Sequence, residues 1–187
     1  MPVLCNRILR GLLGVEQDWY VDEDPVRHPR SRLVDGSTPS PKRAPHRTGI
    51  ERALALAAAR VPDAILVVCD RDDDCPATWG PAVAKVVAGR IRVAAVMASR
   101  EYESWILAGL TLAQRKGVKA IDPDEAPRDA KRALARVVPN YAPATHQLEV
   151  TRALDLDTAW RVSDSFDKLV RSLASVTGVE APTRPGH

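Results

Sequence analysis

Four carboxylates fall within five residues in the stretch Asp70-Arg71-Asp72-Asp73-Asp74. Acids packed this closely repel one another, and the repulsion has to be offset by a cation or by basic side chains. Their ligand atoms are all oxygen, a set that suits Mg²⁺ or Mn²⁺ with waters filling the remaining octahedral positions. Metals held this way bridge a phosphate, activate a water and stabilise a leaving oxygen, so phosphoryl or phosphodiester chemistry is the expected reaction class. Such chemistry needs no His base, and none of the four His residues is adjacent to these acids. A plainer reading is a polar turn capping the helix that opens near Pro76, since Asp is favourable there; one Asp would serve that purpose.

The element that must position this cluster is the run Ala64–Cys69, Ala-Ile-Leu-Val-Val-Cys, which follows the turn signal Pro62-Asp63. Continuous apolar, β-branched composition predicts a strand buried on both faces, as in a parallel sheet under helices. Asp70 then sits at the carboxyl end of the strand, where open α/β sheets bind ligands. A helix from about Pro76 to Ala88 and a second strand, Ile91 to Ala98, follow; this order implies a parallel pair joined by a right-handed crossover. Directly after it comes Ser99-Arg100-Glu101-Tyr102-Glu103-Ser104-Trp105, read as a helix capped by Ser99 and running to about Leu112. Glu101 and Glu103 thereby join Asp70 on one rim. They are two apart, so both can face the site only if the first turn is irregular, and one of them is expected to function. Either could instead merely complement the helix dipole. Trp105, Ile106 and Leu110 are expected to pack on the sheet.

Residues 25–48 form a long Pro-rich loop carrying Arg27, Arg30, Arg32, Lys42, Arg43 and Arg47 against a single acid, Asp35, with His28 and His46 nearby. It reads equally as a phosphate-binding arm, with Arg30, Arg32, Lys42 and Arg43 as contacts, or as a solvated basic loop. Elsewhere the pattern predicts a helix over 3–13 stopped by Gly14 and a short strand from Trp19 to Val21. A helix from Gly49 to Val61 would open on a Thr48/Glu51 capping box and end at Pro62. A helical C-terminal part over 118–176 would hold helices at about 126–137, 146–154 and 156–175. Lys131, Arg132 and Arg136 would lie on a solvated face, and the tail over 177–187 would be disordered.

The 187 residues are one domain's length, residues 1–176 forming a single α/β domain with a mainly parallel sheet flanked by helices. Net charge is only +3, so any nucleic-acid contact has to come from a local patch. Three cysteines without metal-ligand spacing fit a reduced cytoplasm. No apolar run approaches the roughly 18 residues of a membrane span, and a soluble, intracellular protein is expected. Rival motifs fail on their spacing. An EF-hand counted from Asp70 would need Gly at Cys75 and Glu at Pro81; a haloacid-dehalogenase-type motif would need Thr or Val at Asp74; the glycine patterns of P-loops and dinucleotide folds are lacking.

The chain resembles a Toprim-like family of unknown function. The resemblance rests on Leu66-Val67-Val68-Cys69-Asp70-Arg71-Asp72-Asp73-Asp74-Cys75-Pro76 and Ala98-Ser99-Arg100-Glu101-Tyr102-Glu103-Ser104-Trp105-Ile106-Leu107-Ala108. Weaker echoes are Pro29-Arg30-Ser31-Arg32, Asp129-Ala130-Lys131 and Tyr141-Ala142-Pro143. It implies the Toprim fold of topoisomerases, primases and overcoming-lysogenization-defect nucleases, with Asp70 and Asp72 as the DxD pair that binds Mg²⁺. Asp74 and Glu101 or Glu103 would be secondary ligands. It also implies an ATPase partner and a role in phage defence. The family's opening strand, which carries the proton-transferring Glu, would lie ahead of Met1; Glu16 and Glu23 do not stand in its context. Two functions follow as expectations: a Mg²⁺-dependent nuclease acting on nucleic acid, or a non-catalytic, degenerate or truncated relative that binds a protein partner. A phosphatase with Asp70 as nucleophile ranks below both.

Overall fold

The computed structural model describes residues 1–15, 19–37, 43–86, 91–110 and 129–186. Its centre is a pair of parallel strands, β1 (Ala64–Asp70) and β2 (Arg92–Ala98), aligned from Ala64↔Arg92 to Asp70↔Ala98. Helices pack on both faces and draw apolar residues from alternate positions, but burial falls short of the sequence expectation: in β1 only Cys69 is fully buried, and β2 opens on exposed Arg92. Leu66, Val68, Val96 and Ala98 join one core with Trp105, Phe166 and Leu169. Ile65, Val67, Cys69, Ala95 and Met97 join the other with Ile50, Trp79 and Val83. This explains the unbroken apolar runs and confirms a mixed α/β fold with a small parallel sheet between helices.

The first core is built by α1 (Pro2–Gly11), α4 (Glu103–Ala108), α7 (Leu156–Val162) and α8 (Asp164–Thr177). The second lies under α2 (Arg47–Ala58) and α3 (Pro76–Val86). Trp105 and Phe166 are fully buried and meet edge to face at 6.1 Å. Burying an aromatic side chain of this size contributes about 2–3 kcal/mol, and the pair geometry adds to that. Two short helices, α5 (Ala130–Ala135) and α6 (Pro143–Ala153), complete the C-terminal part. Among the described residues no helix is long and apolar enough to cross a membrane.

Several boundaries differ from the sequence expectation, each for a local reason. The α2 cap is His46, whose Nδ1 accepts the Gly49 N–H, while Glu51 pairs with Arg47 at 2.9 Å instead of closing a box with Thr48. Gly49 presses against the Arg32 carbonyl, where an added Cβ would lie 1.7 Å from the oxygen. Tertiary packing therefore sets this helix start. The α-helix ends at Ala58 and tightens through i→i+3 bonds from the Arg60 N–H to Ala57 and the Val61 N–H to Ala58, before Val61, which precedes Pro62, leaves the helical region at φ 53°. The span 156–175 divides at Ser163, whose hydroxyl accepts the Phe166 N–H and caps α8; Asp155 caps α7 in the same way. Trp19 to Val21 forms no strand; Trp19 lies against the first core with Arg92 stacked over its ring. In the tail, Arg184 donates to the carbonyls of Trp160 and Arg161. Residues 118–128 and Lys42 lie outside the described residues.

Candidate functional site

The parallel register brings both strands to an end side by side, and the chain stays paired beyond them. The Arg71 N–H donates to the Ala98 carbonyl at 3.0 Å, and the Asp72 N–H to the Arg100 carbonyl at 3.1 Å. Asp72 (φ 49°) and Arg100 (φ 62°) both adopt the left-handed conformation. A non-glycine residue there costs on the order of 1 kcal/mol or more, and such strain collects at functional sites. Two strained residues in register mark this rim.

The second strand end is irregular, which corrects the expected Ser99 cap. The helix opens only at Glu103, and the Ser104 hydroxyl turns back to donate to the Ser99 carbonyl. The irregular turn from Ser99 to Tyr102 lets Glu101 and Glu103 both act on Asp70. It also aims the Tyr102 N–H at Asp70 Oδ1, 3.0 Å away. On this side the acids hold one another at close quarters. Burial pushes the Asp70 carboxyl up to about 6, opposed by the Tyr102 N–H and reinforced by the charge of Glu103, then by that of Glu101. Among the described residues no cationic side chain is within ion-pair distance of Asp70; Lys131 acts on it from further off.

Each glutamate has its own holder. Glu103 is 1% exposed, and its Oε1 accepts from the Tyr141 hydroxyl at 3.0 Å and from Gln147 at 3.4 Å. Burial and the Glu103 charge raise the Tyr141 phenol, which stays a donor. Glu101 accepts the Lys131 N–H at 3.2 Å, and the Lys131 ammonium lies 3.7 Å from its other oxygen.

The remaining aspartates meet arginines instead. Arg30 Nε lies 3.1 Å from Asp72, and its Nη2 bonds Asp74, whose side chain is fully buried. The same guanidinium reaches the carbonyls of Asp70 at 3.0 Å and Arg71 at 3.2 Å. Arg43 stands 3.9 Å from Asp74, and Arg100 pairs with Asp73. Two of the four expected phosphate contacts are thus turned onto the protein's own acids. Arg32 remains exposed.

No family model, curated protein or solved structure matches the chain. The case for a function therefore rests on this geometry and on the sequence motifs. Among the described residues no three His, Cys, Asp or Glu side chains stand together as a group able to enclose a metal ion. Mg²⁺, however, is usually held by one or two carboxylates plus waters and substrate phosphates, and Asp70 with a neighbouring glutamate fits that donor set. Sequence reasoning missed Arg100, Tyr141 and Gln147 as parts of the site. Arg100 had a usable signal, since it stands within the second strand-end motif, directly before Glu101. Gln147 had none, because only the packing of α6 brings it to Glu103.

Proposed function

We propose that this protein is a Toprim-like, divalent-cation-dependent protein that acts on nucleic-acid phosphodiesters. The observation that carries the reading is Asp70, an acid at the carboxyl end of β1 with no ion pair among the described residues, with Glu101 and Glu103 at its side. Asp70 and one of these glutamates would hold Mg²⁺ or Mn²⁺. When bound, the cation would supply charge stabilisation to a phosphate. The chain's own groups do the positioning: the Tyr102 N–H fixes the Asp70 carboxyl, while Tyr141 and Gln147 fix Glu103. Lys131, beside Glu101 and half exposed, offers a positive charge to the phosphate, and exposed Arg32 offers a second.

A second reading is favoured by the arginines on Asp72, Asp73 and Asp74. In it the protein is a non-catalytic Toprim-like subunit whose acidic loop serves structure, and whose partner is an ATPase or another protein. One titration separates the two. Melting temperature followed against Mg²⁺ and Mn²⁺ should rise with concentration for the wild type, as mass action requires, and stay flat for Asp70→Asn. Cleavage of single-stranded and duplex nucleic acid under the same metals tests the activity. A flat wild-type titration would refute the first reading and leave the second standing.

A further inference from the structure

A second divalent cation on this rim would have to draw on Asp72 and Asp74, because Asp70 and the glutamates form the first group and Asp73 is paired with Arg100. Two-metal sites place their ions about 3.5–4 Å apart and depend on carboxylates free to bridge or flank them. Here those carboxylates are already claimed. The Arg30 guanidinium lies against Asp72 Oδ2 and Asp74 Oδ2 and bonds the carbonyls of Asp70 and Arg71, all of them hard oxygen acceptors that a cation would seek.

Arg30 is also hard to dislodge. It opens a short 3-10 turn, Arg30–Arg32, followed by a β-bridge between Val34 and Pro45. The Trp79 indole N–H donates to the Leu33 carbonyl at 3.1 Å, and the Arg32 carbonyl is wedged against Gly49. The segment therefore works as a strap fastened at several points, not as a free arm. The Asp74 side chain beneath it is closed to solvent.

Building on the reading above, we infer that Arg30 is a built-in counter-cation filling the place of a second metal ion, so that the rim takes one divalent cation, on its Asp70 side. Arg30 is a positioning residue in this scheme, since it sets how many cations the acids accept.

The test is a count of bound Mn²⁺ by electron paramagnetic resonance on the full chain at saturating metal. The wild type should bind one ion, Arg30→Gln two, and Arg30→Lys, which keeps the charge, one. Two ions on the wild type would overturn the inference while leaving the metal reading intact. One ion on an Arg30→Gln variant whose circular dichroism melt shows it folded would also overturn it. No ion on the wild type would instead bring down the metal reading on which the inference stands. Should Arg30→Gln fail to fold, the wild-type count decides between one and two.

Discussion

The two sides of the rim handle the same problem, buried negative charge, in opposite ways. Asp72, Asp73 and Asp74 are met by Arg30, Arg43 and Arg100. Asp70 lies only a few residues away, in contact with a backbone N–H and beside two further acids, and its carboxyl is pushed up to about 6. Pairing of every aspartate with an arginine marks the first side as structural reinforcement, although the buried Asp74 Oδ1 has only Arg43 at 3.9 Å and no hydrogen-bond donor among the described residues. On the second side only Glu101 has a cationic partner, Lys131, and the carboxyls of Asp70 and Glu103 mark it as the place where an external cation would gain most, because desolvated like charges are costly until one arrives.

The largest test of this contrast is Arg30→Met. It removes the main counter-charge of a fully buried aspartate, and breaking a buried pair from one side costs about 3–5 kcal/mol. Urea unfolding should register a loss on that scale; a loss under 1 kcal/mol would mean that Arg43 or water serves Asp74 well enough.

Asp70→Asn should go the other way at neutral pH. A carboxyl whose folded value is raised from 3.8 to about 6 binds more protons folded than unfolded between those values. Its contribution to stability is therefore full below pH 3.8 and is lost as pH rises through about 6. Relative to wild type, Asp70→Asn should gain on the order of 3 kcal/mol above pH 6 in metal-free buffer and lose that gain towards pH 4. The same titration predicts that Mg²⁺ stabilisation of the wild type weakens as pH falls below 6, because the proton competes for the ligand. Melting curves from pH 4 to 8, with and without Mg²⁺, measure both.

Tyr141→Phe sharpens the comparison further, since it leaves buried Glu103 with Gln147 as its remaining hydrogen-bond donor among the described residues. A loss of about 1–2 kcal/mol is expected in chemical denaturation. The smallest effect is the benchmark: Glu51→Ala breaks an exposed i,i+4 pair with Arg47 and should change stability by no more than about 0.5 kcal/mol. An equally small change for Arg30→Met would erase the distinction between buried and exposed pairs on which the comparison is built.

Local chemistry made much of the frame legible. The apolar runs Ala64–Cys69 and Ile91–Ala98 made the two strands legible, and their parallel pairing in register from Ala64↔Arg92 to Asp70↔Ala98 places Asp70 beside the Glu101–Glu103 turn. The sequence could also state that Glu101 and Glu103 share a side only if the turn between them is irregular, and the late helix start at Glu103, which leaves Glu101 in a non-helical turn, supplies that irregularity. It could not assign counter-ions. Asp74 finds Arg30 from 44 residues away, and Glu103 finds Tyr141 and Gln147 from 38 and 44 residues away. Strand and helix propensity depend on neighbours a few residues apart, so composition and spacing determine them. The partner of a charge depends on which surfaces the core brings together. That is why a basic loop read as an arm for phosphate became, in the folded chain, a strap across its own acids.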